Sequence, residues 1–382
     1  MSEEEGAPKS DLARLIESLF PETEEVERVA PVSVASSPEP EAQSEPPPQP
    51  DLDSPAPSAA KGDPAVAVIG ALRDVTALYT VAEDEEKDSL VSPLLAASET
   101  ARRIGAFDTL AEAVNTLVLR DDPVAGELLD DDVRASMARL FGKIRDESER
   151  RALIKAYGKL DDSIAQSIAD ELAETDDRQA RKAYIGALCD FGPSGIRVVE
   201  AMLQDSRWFV VRNGVSVLGE IGGEESVELL TGTLANEDVR VRRETVLSLA
   251  KIGGENAAIL VSGMLNDADS ELRVSAARAV GVLKVERAYR TLIKILEDGD
   301  DDAVIEQVLR ALGQLGDPSA VQAIEQRAVT SMFKRPPTGI RIAALTALAA
   351  IGTPRAMEVV EKAAKDKDAE VRSAVEQILA GG

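Results

Sequence analysis

The sequence predicts an all-α protein: an α-solenoid, or superhelix, of stacked antiparallel helix pairs with a period of about 31 residues, preceded by a disordered acidic and Pro-rich tail. Three observations carry that expectation. A stretch of the form VRNGVSVLGEIG, residues 211–222, returns through the C-terminal half, closing at Gly192, Gly222, Gly253, Lys284 in place of glycine, Gly316 and Gly352. An arginine recurs about ten residues before most of these points, at Arg181, Arg212, Arg242, Arg273, Arg341 and Arg372, with Ile305 in its place once. An acid stands a few residues earlier, at Asp177, Asp205, Asp238, Asp269, Asp301 and Asp368. A unit this short, with two apolar runs, cannot bury its own hydrophobic face and must stack on its neighbours.

Each unit reads as two helices. Val241, Val246, Leu249 and Ile252 return to one side of an α-helix, and strict alternation fails. Glycine after the last apolar residue suits a C-cap, because it adopts a left-handed backbone without a Cβ clash. A second run follows, as in ESVELLTGTLAN and ENAAILVSGMLND, and ends in Asn or Asp. Asp205, Asn236, Asn266, Asp267 and Asp298 are expected to cap the next first helix.

The pattern D-x-x-V-R followed by A-V-x-x-L-G-x-I-G, present as DSRWFVVRNGVSVLGEIG, DVRVRRETVLSLAKIG and IRIAALTALAAIG, resembles HEAT repeats, in particular the short bacterial type similar to those of phycobilisome lyase (PBS lyase) subunits. That resemblance implies that the repeated acids and arginines form a structural ladder of hydrogen bonds between units: Asp177, Arg181, Arg212, Asp238, Arg242, Asp269, Arg273, Arg341, Asp368 and Arg372. Families of this kind include scaffolds, transport factors, lyase subunits and a few DNA-repair enzymes, so the fold implies no chemistry by itself.

Taken in order, residues 1–21 hold an acidic N-terminus and a short amphipathic helix, whose Leu12, Leu15, Ile16, Leu19 and Phe20 form one apolar stripe before Pro21. Residues 22–62 form a Pro/Glu-rich linker with nine prolines between Pro31 and Pro57, too poor in large apolar groups to offset the entropy of ordering. Residues 63–146 are divergent helices or a cap, with no D-x-x-V-R series. HEAT-like units fill 147–382, the regular ones from Asp177 onward. The N-terminal helix either folds back on its own solenoid or catches a partner on a tether.

Composition narrows the chemistry. There are 69 acids against 43 bases, a net charge of −26, no histidine, one cysteine and 3% aromatics. Without histidine there is no Ser-His-Asp triad and no imidazole ligand, and one cysteine supplies no thiolate cluster. Cys189 reads as a small apolar core residue, and no cofactor and no metal are expected. Asp121-Asp122 and Asp130 to Asp132 lack the spacing of a calcium loop and read as helix starts. Such acidity argues against nucleic acid as a partner. The N-terminus is no secretory signal, and no run of about 18 apolar residues stands out to span a membrane. The expected location is the cytoplasm.

The expected partner is therefore another protein, bound by a non-catalytic scaffold through its concave face and the tethered helix. The alternatives are an accessory or lyase-type subunit acting on a cofactor- or chromophore-bearing protein, which needs an aromatic-lined pocket, and a HEAT-like DNA glycosylase, which needs a basic concave face. Two breaks in the repeat are candidate binding points: Trp208 with Phe209, and the insertion carrying Phe333, Lys334 and Arg335 before a double proline. The concave groove is expected on the second helices, at Arg197, Glu228, Arg287, Arg290, Lys294 and Glu358.

Overall fold

Tight packing between like helices of successive units organises the chain. The structure, a computed structural model, describes residues 63–330 and 336–380, and every regular element among them is helical. The N-terminal part comprises α1 (Pro64–Val81), α2 (Asp84–Arg103), α3 (Phe107–Val118), the short α4 (Val124–Glu127), α5 (Asp131–Lys143), α6 (Glu147–Leu160) and α7 (Ile164–Glu174). Regular pairs follow. Their first helices are α8 (Arg178–Asp190), α10 (Trp208–Ile221), α12 (Val239–Ile252), α14 (Ser270–Val282), α16 (Asp302–Leu315), α18 (Thr338–Ile351) and α20 (Ala369–Ala380). Their second helices are α9 (Pro193–Met202), α11 (Gly223–Thr231), α13 (Gly254–Gly263), α15 (Tyr289–Asp298), α17 (Val321–Ala328) and α19 (Pro354–Ala363). The stripe at Leu12 to Phe20, the linker, and Phe333, Lys334 and Arg335 lie outside the described residues.

The first helices pack backbone to backbone. A Cβ built on Gly313 of α16 would lie 2.9 Å from the Cα of Ala347 on α18, and one on Gly281 of α14 would lie 2.9 Å from the Cα of Ala311 on α16. These are the glycines of the L-G-x-I-G motif, so the motif encodes a close approach as well as a turn. The first helices are thus drawn together, whereas the glycines of the second helices α11 and α13 make no such approach. Arg197 lies on α9, Glu228 on α11, Arg290 and Lys294 on α15 with Arg287 just before it, and Glu358 on α19, all in the layer of second helices.

Turn chemistry also differs from the sequence reading. The caps are the acids at Asp177, Asp238 and Asp269, whose carboxylates accept from the backbone N–H of Gln179, Arg240 and Leu272 at 2.8, 2.9 and 2.8 Å. Asn236 and Asp267, expected as caps, instead accept from the N–H two residues on, each at 2.9 Å, and shape the turn before the helix. At the missing glycine the backbone keeps its conformation: Lys284 has φ of +50°, beside +73° at Gly253 and +71° at Gly316.

The expectation that no helix suits a membrane is corrected for α1. It is 18 residues long with mean hydropathy 1.3, and 17% of it is buried, so by length and composition it could cross a bilayer. Apolar residues surround the whole helix, whereas a helix covered on one side only is normally amphipathic.

Two substitutions test the backbone reading. Gly313→Val forces α16 and α18 apart and is expected to cost about 2 kcal/mol or more by overpacking. Lys284→Gly relieves a left-handed side-chain clash and is expected to add up to about 1 kcal/mol. Urea unfolding midpoints check both.

Candidate interaction surface

The arginines of the repeat clasp two turns at once. Nη1 of Arg242 donates to the carbonyls of Asn236 and Glu237 in its own turn, at 2.9 and 3.1 Å, while Nε and Nη2 donate to Asp267 of the next turn at 3.0 and 2.9 Å. Arg273 repeats this one unit on. It donates to the carbonyls of Asp267 and Ala268 at 2.8 and 3.0 Å, and through Nε to Asp300 at 2.8 Å. Arg372 holds its own turn through the carbonyls of Asp366 and Lys367 at 2.8 and 3.1 Å, and Arg181 reaches the carbonyl of Thr175 at 3.1 Å. Arg341, only 2% exposed, bonds Asp366 and lies 3.7 Å from Asp368. The planar five-donor fork of arginine permits this two-way grip, and a lysine ammonium does not.

The acids that receive the arginines are Asp267, Asp300 and Asp366. They precede the predicted acids Asp269, Asp301 and Asp368 by one or two residues, and sequence reasoning missed their role. Asp368 accepts instead from the Thr338 hydroxyl at 2.7 Å and the Glu370 N–H at 3.0 Å, and Asp177 is bonded by Arg145 at 3.1 Å. Arg212 stands one position off the register, at the place held by Arg243 in the next unit, and bonds Glu244 at 3.1 Å. Similar bonds begin further upstream than Asp177. Arg102 donates to Asp130, and Arg134, in DDDVR, donates to Asp161 at 2.8 Å. The D-x-x-V-R signal was present there, but Arg145 occupies the closing position where later units have glycine.

Burial pushes the Asp267 carboxyl up, yet the bonds from Arg242 and the Asp269 amide outweigh it and hold the group below the usual carboxylate range. Asp300 behaves alike: burial raises it, and Arg273 with the Asp301 amide lowers it further.

The first helices carry a second set of charges. Arg212 bonds Glu244, Arg243 bonds Glu271, and Lys251 bonds Glu220, so each pair bridges adjacent units; Arg310 pairs with Glu306 at 3.3 Å within α16. The bases of these pairs are more open than those of the clasp, Arg212 being 43% exposed against 17% for Arg273, while Glu244, at 16%, is as covered as Asp300. Arg278 lies among them, with burial and the nearby Arg310 depressing its pKa.

Trp208 and Phe209 open α10 with rings edge to face at 5.9 Å. The Arg240 guanidinium of the next unit stacks 3.4 Å over the Trp208 ring, held there by Asp238, and Arg207 lies 5.6 Å from the Phe209 ring. One face of the tryptophan is thus filled by a neighbouring unit. Cys189 is half-buried, and burial first, then Glu220 and Asp190, pushes its thiol up to about 12, so it stays protonated and non-nucleophilic at neutral pH. Among the described residues, no group of three or more acids or cysteines could hold a metal ion. Asp130 caps α5 through the Val133 N–H at 2.8 Å, and Asp122 accepts from the Val124 N–H at 3.1 Å. A large open depression of about 640 Å³ is walled by charged turn residues, Asp238, Arg240 and Asp269 among them.

Comparison with known proteins agrees with this architecture. The profile for HEAT repeats matches residues 165–250, 198–280 and 257–332, and that for the PBS lyase HEAT-like repeat matches residues 340–366. The chain is a HEAT-repeat protein. No curated protein matches its sequence. Among solved structures, an engineered protein is 21% identical, with a TM-score of 0.32, over 64% of this chain and 98% of that one. The complex of CpcE and CpcF of phycocyanin lyase from Nostoc sp. PCC7120 is 20% identical, with a TM-score of 0.29, over 59% of this chain and 92% of that one. A Kap121p mutant is 14% identical, with a TM-score of 0.41, over 81% of this chain and 39% of that one. Likenesses this distant carry no weight for function.

Arg273→Ala is expected to cost about 3 kcal/mol, because it leaves Asp300 buried without its cation. The depressed carboxyls give a sign. Their contribution is in place above the ordinary carboxylate range of about pH 4 and is lost as pH falls through the lower folded values. Acid unfolding followed by circular dichroism should show Arg273→Ala losing less stability on acidification than the parent.

Proposed function

We propose that this HEAT-repeat solenoid is a non-catalytic scaffold that binds another protein along the groove of its first helices. The observation that supports the reading is the strip of half-open ion pairs there, Arg212 with Glu244, Arg243 with Glu271 and Lys251 with Glu220. Exposed pairs of this kind are worth only about 0–1 kcal/mol each, so a partner's charges exchange with them at little cost. A stacked solenoid presents such a strip continuously over many units. The partner that fits is a polar segment or surface bearing both signs of charge, and its binding weakens as salt screens it. No nucleic acid, metal or cofactor enters this reading, and the expected setting is the cytoplasm.

A role as an accessory to a chromophore or cofactor lyase would call for an apolar, aromatic-lined cavity. Of two open depressions among the described residues, one is walled by turn charges and the other by Glu255, Lys284, Glu286 and Arg287 beside a few aliphatic groups.

The triple variant Arg212→Glu, Arg243→Glu, Arg310→Glu tests the proposal. A protein captured from native extract by the parent chain, released by rising salt and lost by a variant whose circular dichroism is unchanged, is the expected result. Capture that survives all three reversals at every salt concentration would refute the groove as the binding surface.

A further inference from the structure

We propose that the apolar stripe of residues 12–20 docks in cis on the outer face of α1 and closes the N-terminal end of the solenoid. At 100° per residue, Leu72, Thr76 and Tyr79 form the buried side of α1. Val66, Ala67, Gly70, Ala77, Leu78 and Val81 lie opposite, and the large ones are open, at 66% for Val66, 58% for Leu78 and 77% for Val81. Arg73, which pairs with Glu112 at 2.8 Å, borders this strip, and Asp74 lies within it between Val81 and Leu78. A solenoid exposes such a face only at its end, where an atypical element must shield it.

The length and sequence of the chain preceding α1 identify the occupant. Within residues 1–62, the stretch from Leu12 to Phe20 is the one apolar stripe at helical spacing, and 42 residues, 21–62, join it to Asp63 at the Val66 end of the strip. A flexible linker of that length spans roughly 35 Å on average, more where proline stiffens it, which covers the roughly 27 Å of an 18-residue helix. The tether makes docking intramolecular, at an effective concentration near the millimolar range.

The other occupants fit less well. A helix face about 10 Å wide and 27 Å long offers roughly 270 Å², far short of the ~800 Å² per partner of a stable dimer, but enough for one short helix. Against a bilayer stand Arg73 and Asp74 at mid-helix, and the anchoring of α1 through Tyr79, whose hydroxyl donates to Asp122 at 3.2 Å. This inference is independent of the groove reading, because α1 takes no part in that strip.

The test uses the full chain in a Cys189→Ala background with Leu15→Cys and Leu78→Cys, treated with a short bis-maleimide. A pair with Gln43→Cys and Leu78→Cys measures random collisions of the tether. The expected result is an intramolecular cross-link that forms several-fold faster than in the tether control, at a rate independent of protein concentration. Cross-linked dimers would assign the face to a second copy. Parity with the control would remove the dock altogether. Hydrogen exchange supplies a readout free of new cysteines: Leu15→Asp with Ile16→Asp should speed amide exchange in α1 several-fold and leave α16 unchanged. Unchanged exchange in α1, or flotation of the parent chain with phosphatidylcholine vesicles, would overturn the proposal.

Discussion

The arginine clasp is the constraint on which the regular part of the chain depends. A solenoid has no contacts between distant units, so its stability is a sum of unit and interface terms, and each interface must hold by itself. One guanidinium ties the start of its own first helix to the turn ahead, fixing both the distance and the rotation between units. The glycine and alanine surfaces of the first helices then meet at backbone contact, as Gly313 meets Ala347. In the unit where Ile305 replaces arginine, that side chain is buried. Exchanging a buried ion pair for well-packed apolar volume is often neutral, so the array tolerates the gap.

Much of this was legible in the sequence, and the failures have physical causes. The period and the two helices per unit follow from spacing alone, because apolar faces must be buried somewhere. Lys284 in the glycine register was visible as an exception, and the backbone there obeys the register over the residue type. The pairing of acids was misassigned because two acids stand within three residues of each other in turns such as Asp267 to Asp269, and spacing cannot say which one turns its oxygens to a helix N-terminus and which to an arginine. The arginine at Arg134 was hidden by reliance on the closing glycine.

How closely like helices of successive units approach was not legible from hydrophobic period. Period says which face of a helix is buried, and both layers bury one. That approach is set by small residues such as Gly281 and Gly313, which stand inside the helix and not at the closing glycine on which the sequence reading relied. Arg212, read as part of the structural ladder, stands one position off its register and bonds Glu244 of the next unit instead.

The same pairing chemistry thus serves two purposes, separated by burial. Arg273 and Asp300 are 17% and 15% exposed, with backbone carbonyls completing the arginine's donors. Neither can leave without stranding the other in a low-dielectric site. Arg212 is 43% exposed, so water reaches its guanidinium beside Glu244. A chain of net charge −26 gains little from adding acid to its surface, yet it keeps two arginines and a lysine on two successive first helices, α10 and α12, each matched to a carboxylate of a neighbouring unit. Pairs that water can open are poor fasteners. In the binding role proposed for them, that same openness lets a partner's charges take their place.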